Sequence, residues 1–292
     1  MITPTIRTGL IALCSLCLGT AVFAQTPAAP KINFPEASPL ASISQRVGLT
    51  DIQVTYNRPG AKGRKVFGGL VPYDHIWRTG ANNATKLSFS TAVKLNGTTV
   101  PAGTYELFTI PGRDEWTVII HKNMSQWGVY QYDEKNDVVR LKARPVALTA
   151  PVETLAIGLG DIRDESATLT IAWEKTSLPI ALTVDVKSTL VPQIEAVMAS
   201  GAEKLPYNDA AMYYLANDLD LKKAAAWMDA AVAAAPNAFY LSYRKALILE
   251  KMGDKAGAIA AAQKSLEGAS KASGPVKDEY TDLNQALIAR LK

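Results

Sequence analysis

The residues best suited to chemistry lie together in the run Tyr73-Asp74-His75-Ile76-Trp77-Arg78-Thr79-Gly80-Ala81-Asn82-Asn83-Ala84-Thr85. Trp77 offers a flat apolar face for a sugar ring or an aromatic ligand. Arg78 offers a planar fork that matches carboxylate or phosphate. Asn82 and Asn83 each carry a donor and an acceptor on one amide, and Thr85 adds a hydroxyl. Gly80 gives the segment backbone freedom. The same residues have an architectural use as well: Trp77 in a core, Arg78 paired with a carboxylate across the fold, and the Asn side chains capping turns. Arg58-Pro59 and Lys62-Gly63-Arg64-Lys65 bring a second basic loop close in sequence, which taken alone reads as solvated. The candidate binding residues are Arg58, Trp77, Arg78, Asn82, Asn83 and Thr85, with a glycan, a peptide or a small anion as the ligand.

Sequence signatures of catalysis are missing. The chain has two histidines, His75 and His121, and neither has a metal-type partner at close spacing. There is no H-E-x-x-H, no G-x-S-x-G elbow, no P-loop and no G-x-G-x-x-G after a strand. The acidic loops at Asp133-Glu134-Lys135-Asn136-Asp137 and at 161–165 lack the spaced pattern of a calcium loop. No metal and no cofactor is expected. An envelope hydrolase remains an alternative, built on Arg78, Asn82, His75 and an acid brought in by folding around the Trp77–Thr85 segment.

The chain that must position these residues has 292 residues, of which 48% are hydrophobic, enough for about two domains with real cores. Lys and Arg exceed Asp and Glu by a net charge of +4 and are scattered among the acids, which argues against a nucleic-acid stripe. At the N-terminus Arg7 precedes the uncharged apolar run from Leu10 to Phe23, shorter than the roughly 20 residues a membrane span needs. Val22-Phe23-Ala24 then fits a small-residue cleavage site. Residues 1–24 are expected to be a signal peptide, cut after Ala24, which places the mature chain in the periplasm or outside the cell with no membrane span. Cys14 and Cys17 are the only cysteines and lie in this leader, each after a leucine where a lipobox needs a small residue. The mature protein therefore has no cysteine to form a disulfide or act as a nucleophile.

Residues 25–39 are rich in Pro and Ala and read as a lead-in. From 40 to 187 the period is two: Ile52, Val54 and Tyr56 alternate with polar residues, as do Leu169, Ile171 and Trp173. Asn96-Gly97 between Val93-Lys94-Leu95 and Thr98-Thr99-Val100 is a strong hairpin signal, because a type I′ turn needs positive φ at both central residues. Eight or nine short strands without intervening helices predict an antiparallel β-sandwich, with a partly open barrel as second choice. Pro192 to Ser200 suits a short helix, and residues 207–292 are Ala-rich with helical spacing. Ala224, Trp227 and Ala231 are followed 34 residues later by Ala258, Ala261 and Ser265, a period like that of tetratricopeptide repeats. The expected fold is α+β multidomain: an N-terminal antiparallel β-sandwich, then a tetratricopeptide-like helical tail over 190–292 that leans on the sandwich or docks an envelope protein.

Further motifs carry a resemblance: Arg58-Pro59, Lys62-Gly63-Arg64, Val66-Phe67-Gly68, Leu70-Val71-Pro72-Tyr73, Trp77-Arg78-Thr79-Gly80-Ala81-Asn82 and Ala84-Thr85, then Pro101-Ala102-Gly103-Thr104-Tyr105, Trp127-Gly128, Tyr130 and Tyr132-Asp133. Over roughly 33–187 the chain resembles the bacterial family known as domain of unknown function 2911. The resemblance implies an exported protein, often with a helical repeat-like tail, and supplies no activity. It implies Gly-Ala-Asn-Glu-Ala-Thr where this chain has Asn83, so any chemistry that relied on that Glu in relatives would be missing here, while an amide can still hydrogen-bond. The function expected is that of an exported ligand-binding or scaffolding protein of unknown activity. Besides the hydrolase, a purely structural envelope protein is the other alternative.

Overall fold

The computed structural model describes Met1, residues 33–122 and residues 125–292. The expected leader and most of the lead-in lie outside the described residues. Among the described residues ten strands come first: β1 Leu40–Val47, β2 Thr50–Asn57, β3 Ala81–Phe89, β4 Val93–Leu95, β5 Thr98–Val100, β6 Gly103–Ile110, β7 Trp116–His121, β8 Asp137–Ala143, β9 Val146–Gly160 and β10 Ser166–Val184. They form two antiparallel sheets. One has the order β1-β2-β3-β6-β7-β8 and the other β5-β4-β10-β9.

Period-two alternation explains the layering. Ile52, Val54 and Tyr56 from β2 and Leu107 from β6 share one core with Leu155 and Ile157 from β9 and Leu169, Ile171 and Trp173 from β10. Each sheet buries one face against the other, as in a sandwich. Tyr56 joins the layers by hydrogen bonds as well, since its Oη accepts from Ile157 N at 2.8 Å. The hairpin at Asn96-Gly97 is present, with φ of 44° and 82°. The strand lengths differ from expectation. β9 and β10 run for 15 and 19 residues. Irregular pairing between Ala172 and Thr176 resets the alternation of β10, so its two halves read as separate short strands.

Six helices follow: α1 Lys187–Met198, α2 Tyr207–Ala216, α3 Leu221–Ala234, α4 Phe239–Lys251, α5 Lys255–Ser270 and α6 Pro275–Leu291. α1 begins five residues before the Pro192 start that the sequence suggests and carries that proline in its second turn. α3 and α5 begin 34 residues apart, with Ala224, Ala231, Ala258, Ala261 and Ser265 buried. Asp220 caps α3 and Asp254 caps α5 through side-chain acceptors, which fixes both starts. Leu190 and Tyr213 pack against the sandwich core, so the first helices lean on the β-sheets. Among the described residues no helix is long and apolar enough to cross a membrane.

Candidate functional site

The connection from β2 to β3 does not cross directly. It folds over one end of the sandwich and encloses a cavity of about 470 Å³. Small-molecule sites fall in the range of roughly 300–1,000 Å³. Two hydrogen bonds to β9 hold the start of the connection, Ala61 N to Glu153 O at 2.7 Å and Leu155 N to Pro59 O at 3.0 Å. Its end is held to β6 by the reciprocal pair between Trp77 and Thr109, at 2.7 and 2.9 Å. The apolar wall comes from Leu70, Val71, Ile76 and the indoles of Trp77 and Trp173. These two indoles stack with ring centroids 5.9 Å apart and 21° between planes.

The lysine and arginine side chains on the polar wall face no carboxylate there. Lys62, Arg64, His75 and Arg78 line the cavity, and no Asp or Glu does among the described residues. Arg64 is tied down, donating to Ala61 O at 3.0 Å and Gly60 O at 2.8 Å. His75 Nδ1 sits 2.8 Å from Tyr73 O. Arg78 is different. Its Nε is buried and has no hydrogen-bond acceptor among the described residues. Burial pushes its pKa down from the ordinary guanidinium value, and the nearby Tyr130 phenol acts in the opposite sense. A buried donor without a partner costs about 1–3 kcal/mol, more when it carries charge.

The backbone holding Arg78 is itself strained. Thr79 is fully buried with φ of 53°, a region that disfavours β-branched residues. Three contacts fix it: Thr85 Oγ1 donates to Thr79 O at 2.7 Å, the Thr79 and Thr109 hydroxyls meet at 3.0 Å, and Thr79 Oγ1 reaches Trp77 O at 3.4 Å. Gly80 follows because a Cβ there would stand 3.0 Å from Thr85 Oγ1. Strain of this kind gathers at sites where a side chain must be aimed.

The six candidate residues are thus placed in different settings. Trp77 and Arg78 line the cavity. Trp77 also belongs to the core, 7% exposed, with its indole N–H donating to Gly80 O at 3.1 Å. Thr85 stands behind the wall and shapes it through Thr79. Arg58 reaches away from it, its Nε donating to Leu155 O at 2.9 Å across the two sheets. Asn82 and Asn83 are exposed at the start of β3 and meet the 126–130 segment: Gly128 N donates to Asn82 O at 3.0 Å, and Asn83 bridges Trp127. Lys62 and Arg64, in a loop that alone looks solvated, converge on Arg78 only in three dimensions.

A second polar cluster lies on the outer face of the larger sheet, and no sequence motif marks it. Glu106 on β6 and His121 on β7 are both 0% exposed. Glu106 accepts from Gln126 N at 2.7 Å and from Gln126 Nε2 at 2.8 Å. His121 Nδ1 stands 3.8 Å from Glu106 and its Nε2 3.2 Å from Asp133 O. Phe108, Ile119 and Ala84 surround the cluster, with Tyr132 packed against them. This pairing is sealed inside the fold rather than opening on the cavity. Among the described residues no group of three or more His, Cys, Asp or Glu could hold a metal ion.

Residues 38–182 match the family model described as protein of unknown function (DUF2911). This β part of the chain belongs to that family. The DUF2911 segment contains Arg78 and its strained support, the Glu106 cluster and the 126–130 segment; the six helices lie beyond it. No curated protein and no solved structure matches the chain.

Proposed function

We propose that this chain is an exported binding protein that holds a small organic anion against Arg78 in the cavity at the end of the sandwich. The observation that carries this is the buried Arg78 Nε–H, without an acceptor among the described residues, on a cavity whose charged lining is Lys62, Arg64 and Arg78 with no carboxylate. A buried Nε–H kept in that position by a strained Thr79 costs stability unless an acceptor answers it. A carboxylate or phosphate would do so with charge-assisted hydrogen bonds. Leu70, Ile76 and the two stacked indoles favour a ligand with an apolar or planar body beside its anionic group. Export is proposed from the Arg7, Leu10-to-Phe23 and Ala24 pattern, with a β domain over 40–187 and a helical tail over 190–292.

The test is calorimetric titration of the mature chain with benzoate, galacturonate and inorganic phosphate, beside the Arg78→Met variant. The wild type is expected to bind at least one organic anion, more weakly as salt is raised. Arg78→Met is expected to stay folded and lose that binding. Equal binding by both chains, or no anion bound by the wild type, overturns the proposal.

A further inference from the structure

On either side of Val129, which lines the cavity, two aromatic rings stand in the open. Trp127 is 60% exposed and Tyr130 is 80% exposed. Their rings stack with centroids 5.7 Å apart and planes 16° apart. Large exposed aromatics on a loose loop would mean little. These are clamped. Gln126, one residue before Trp127, gives both its backbone N–H and its side-chain amide to the buried Glu106 carboxylate. Ala84 N donates to Gln126 O at 2.9 Å, and Gly128 N to Asn82 O at 3.0 Å. Gly128 has φ of 72°, and a Cβ there would stand 2.7 Å from the Tyr130 ring. The fold ties the backbone of this aromatic shelf to the sheet and turns its rings toward water.

The shelf adjoins the cavity. Val129 lines the cavity wall, and the Tyr130 phenol lies close enough to Arg78 to act on it electrostatically. Asn82 and Asn83 stand exposed beside it. Flat apolar rings flanked by amides suit a pyranose, whose C–H face stacks on a ring while its hydroxyls find donors and acceptors at the edge. A peptide adding as a strand is disfavoured here, because the backbone of Asn82 and Ala84 is already bonded to the 126–130 segment. A lipid chain is disfavoured too, because the shelf is open rather than a covered channel.

We infer that the ligand is an acidic glycan, its uronate-type carboxylate held at Arg78 and its next sugar ring laid on the open outer face of the Trp127–Tyr130 stack. This rests on the anion-binding cavity proposed above. The closing experiment therefore separates the two. Calorimetry on the mature chain would compare galacturonic acid, trigalacturonic acid, neutral maltotriose and benzoate, with wild type and Trp127→Ala. The trimer is expected to bind about tenfold tighter than the monomer, with no detectable binding of maltotriose. Trp127→Ala is expected to bring the trimer down to the monomer's affinity and leave the monomer unchanged, which also shows that the variant is folded; Tyr130→Ala repeats the test if it is not. A trimer no tighter than the monomer, or a trimer advantage that survives both substitutions, overturns the shelf while the cavity stands. Benzoate bound without either uronate likewise removes the acidic glycan and keeps the cavity. Failure of all three anions overturns the cavity and the shelf together.

Discussion

A fully buried carboxylate and a half-buried guanidinium in the same β part of the molecule are treated in opposite ways. Glu106 is sealed on the outer face of the larger sheet, with two donors from Gln126 and His121 beside it. Arg78 sits on a cavity wall with its Nε–H unanswered among the described residues. The first arrangement ties the 126–130 segment to the sheet and belongs to stability. The second leaves a buried donor unpartnered, and under the proposal above that donor answers a bound anion. Burial alone does not separate a structural charge from a functional one; the partners do.

The comparison breaks most readily at Glu106. Glu106→Ala leaves the buried Gln126 donors unsatisfied, and is expected to cost about 3 kcal/mol, read as a lower urea midpoint at unchanged slope. Near-wild-type stability would remove Glu106 from its structural role. Arg78→Met keeps the apolar stem and deletes the unanswered head group. Its unfolding free energy is expected within about 1 kcal/mol of wild type, in the direction of greater stability. A loss as large as that of Glu106→Ala would make Arg78 a second anchor and erase the contrast.

The smallest effect concerns alkaline pH. Burial, first, and then the Asp137 carboxylate push the Tyr132 phenol up to about 12, from an ordinary value of 10.0. Tyr214 in the helical tail is likewise pushed up to about 12, by burial and by Glu195. A raised folded pKa means the native state keeps a proton that the unfolded chain gives up. Their contribution is whole below pH 10, where both states hold the proton, and is lost as pH climbs through about 12. Unfolding monitored across that window should show falling stability, with a shallower fall in Tyr132→Phe. An unchanged slope in that variant would detach Tyr132 from the packed cluster around Glu106.

Much of the fold is legible in the chain because local rules and tertiary structure agree. Ile52, Val54 and Tyr56 alternate and face the core, Asn96-Gly97 turns with positive φ, and the small residues at Ala224 and Ala258 mark helix packing. Agreement fails where a bulge intervenes, as in β10, where Glu174 takes φ of 53°. The candidate site is legible in part. Trp77 and Arg78 share a segment rich in recognition chemistry, and both line the cavity. Nothing local distinguishes Arg58 from Arg78, since the acceptor of Arg58 lies 97 residues away on β9. Glu106 is equally opaque: period two places it on the outer face, and only the covering segment around Gln126 makes that face dry. Trp127 and Tyr130 flank Gly128 in sequence, and that spacing around a glycine is the one local sign of a displayed aromatic pair.

The most direct test of the central claim is the ¹⁵N–¹H resonance of the Arg78 Nε–H in the purified protein, followed as galacturonate is added. A downfield shift that saturates, with slowed exchange with water, is the result expected of a guanidinium that gains a carboxylate. A resonance that stays unmoved while galacturonate binds elsewhere, or that already shows a strong hydrogen bond without any anion, would contradict it.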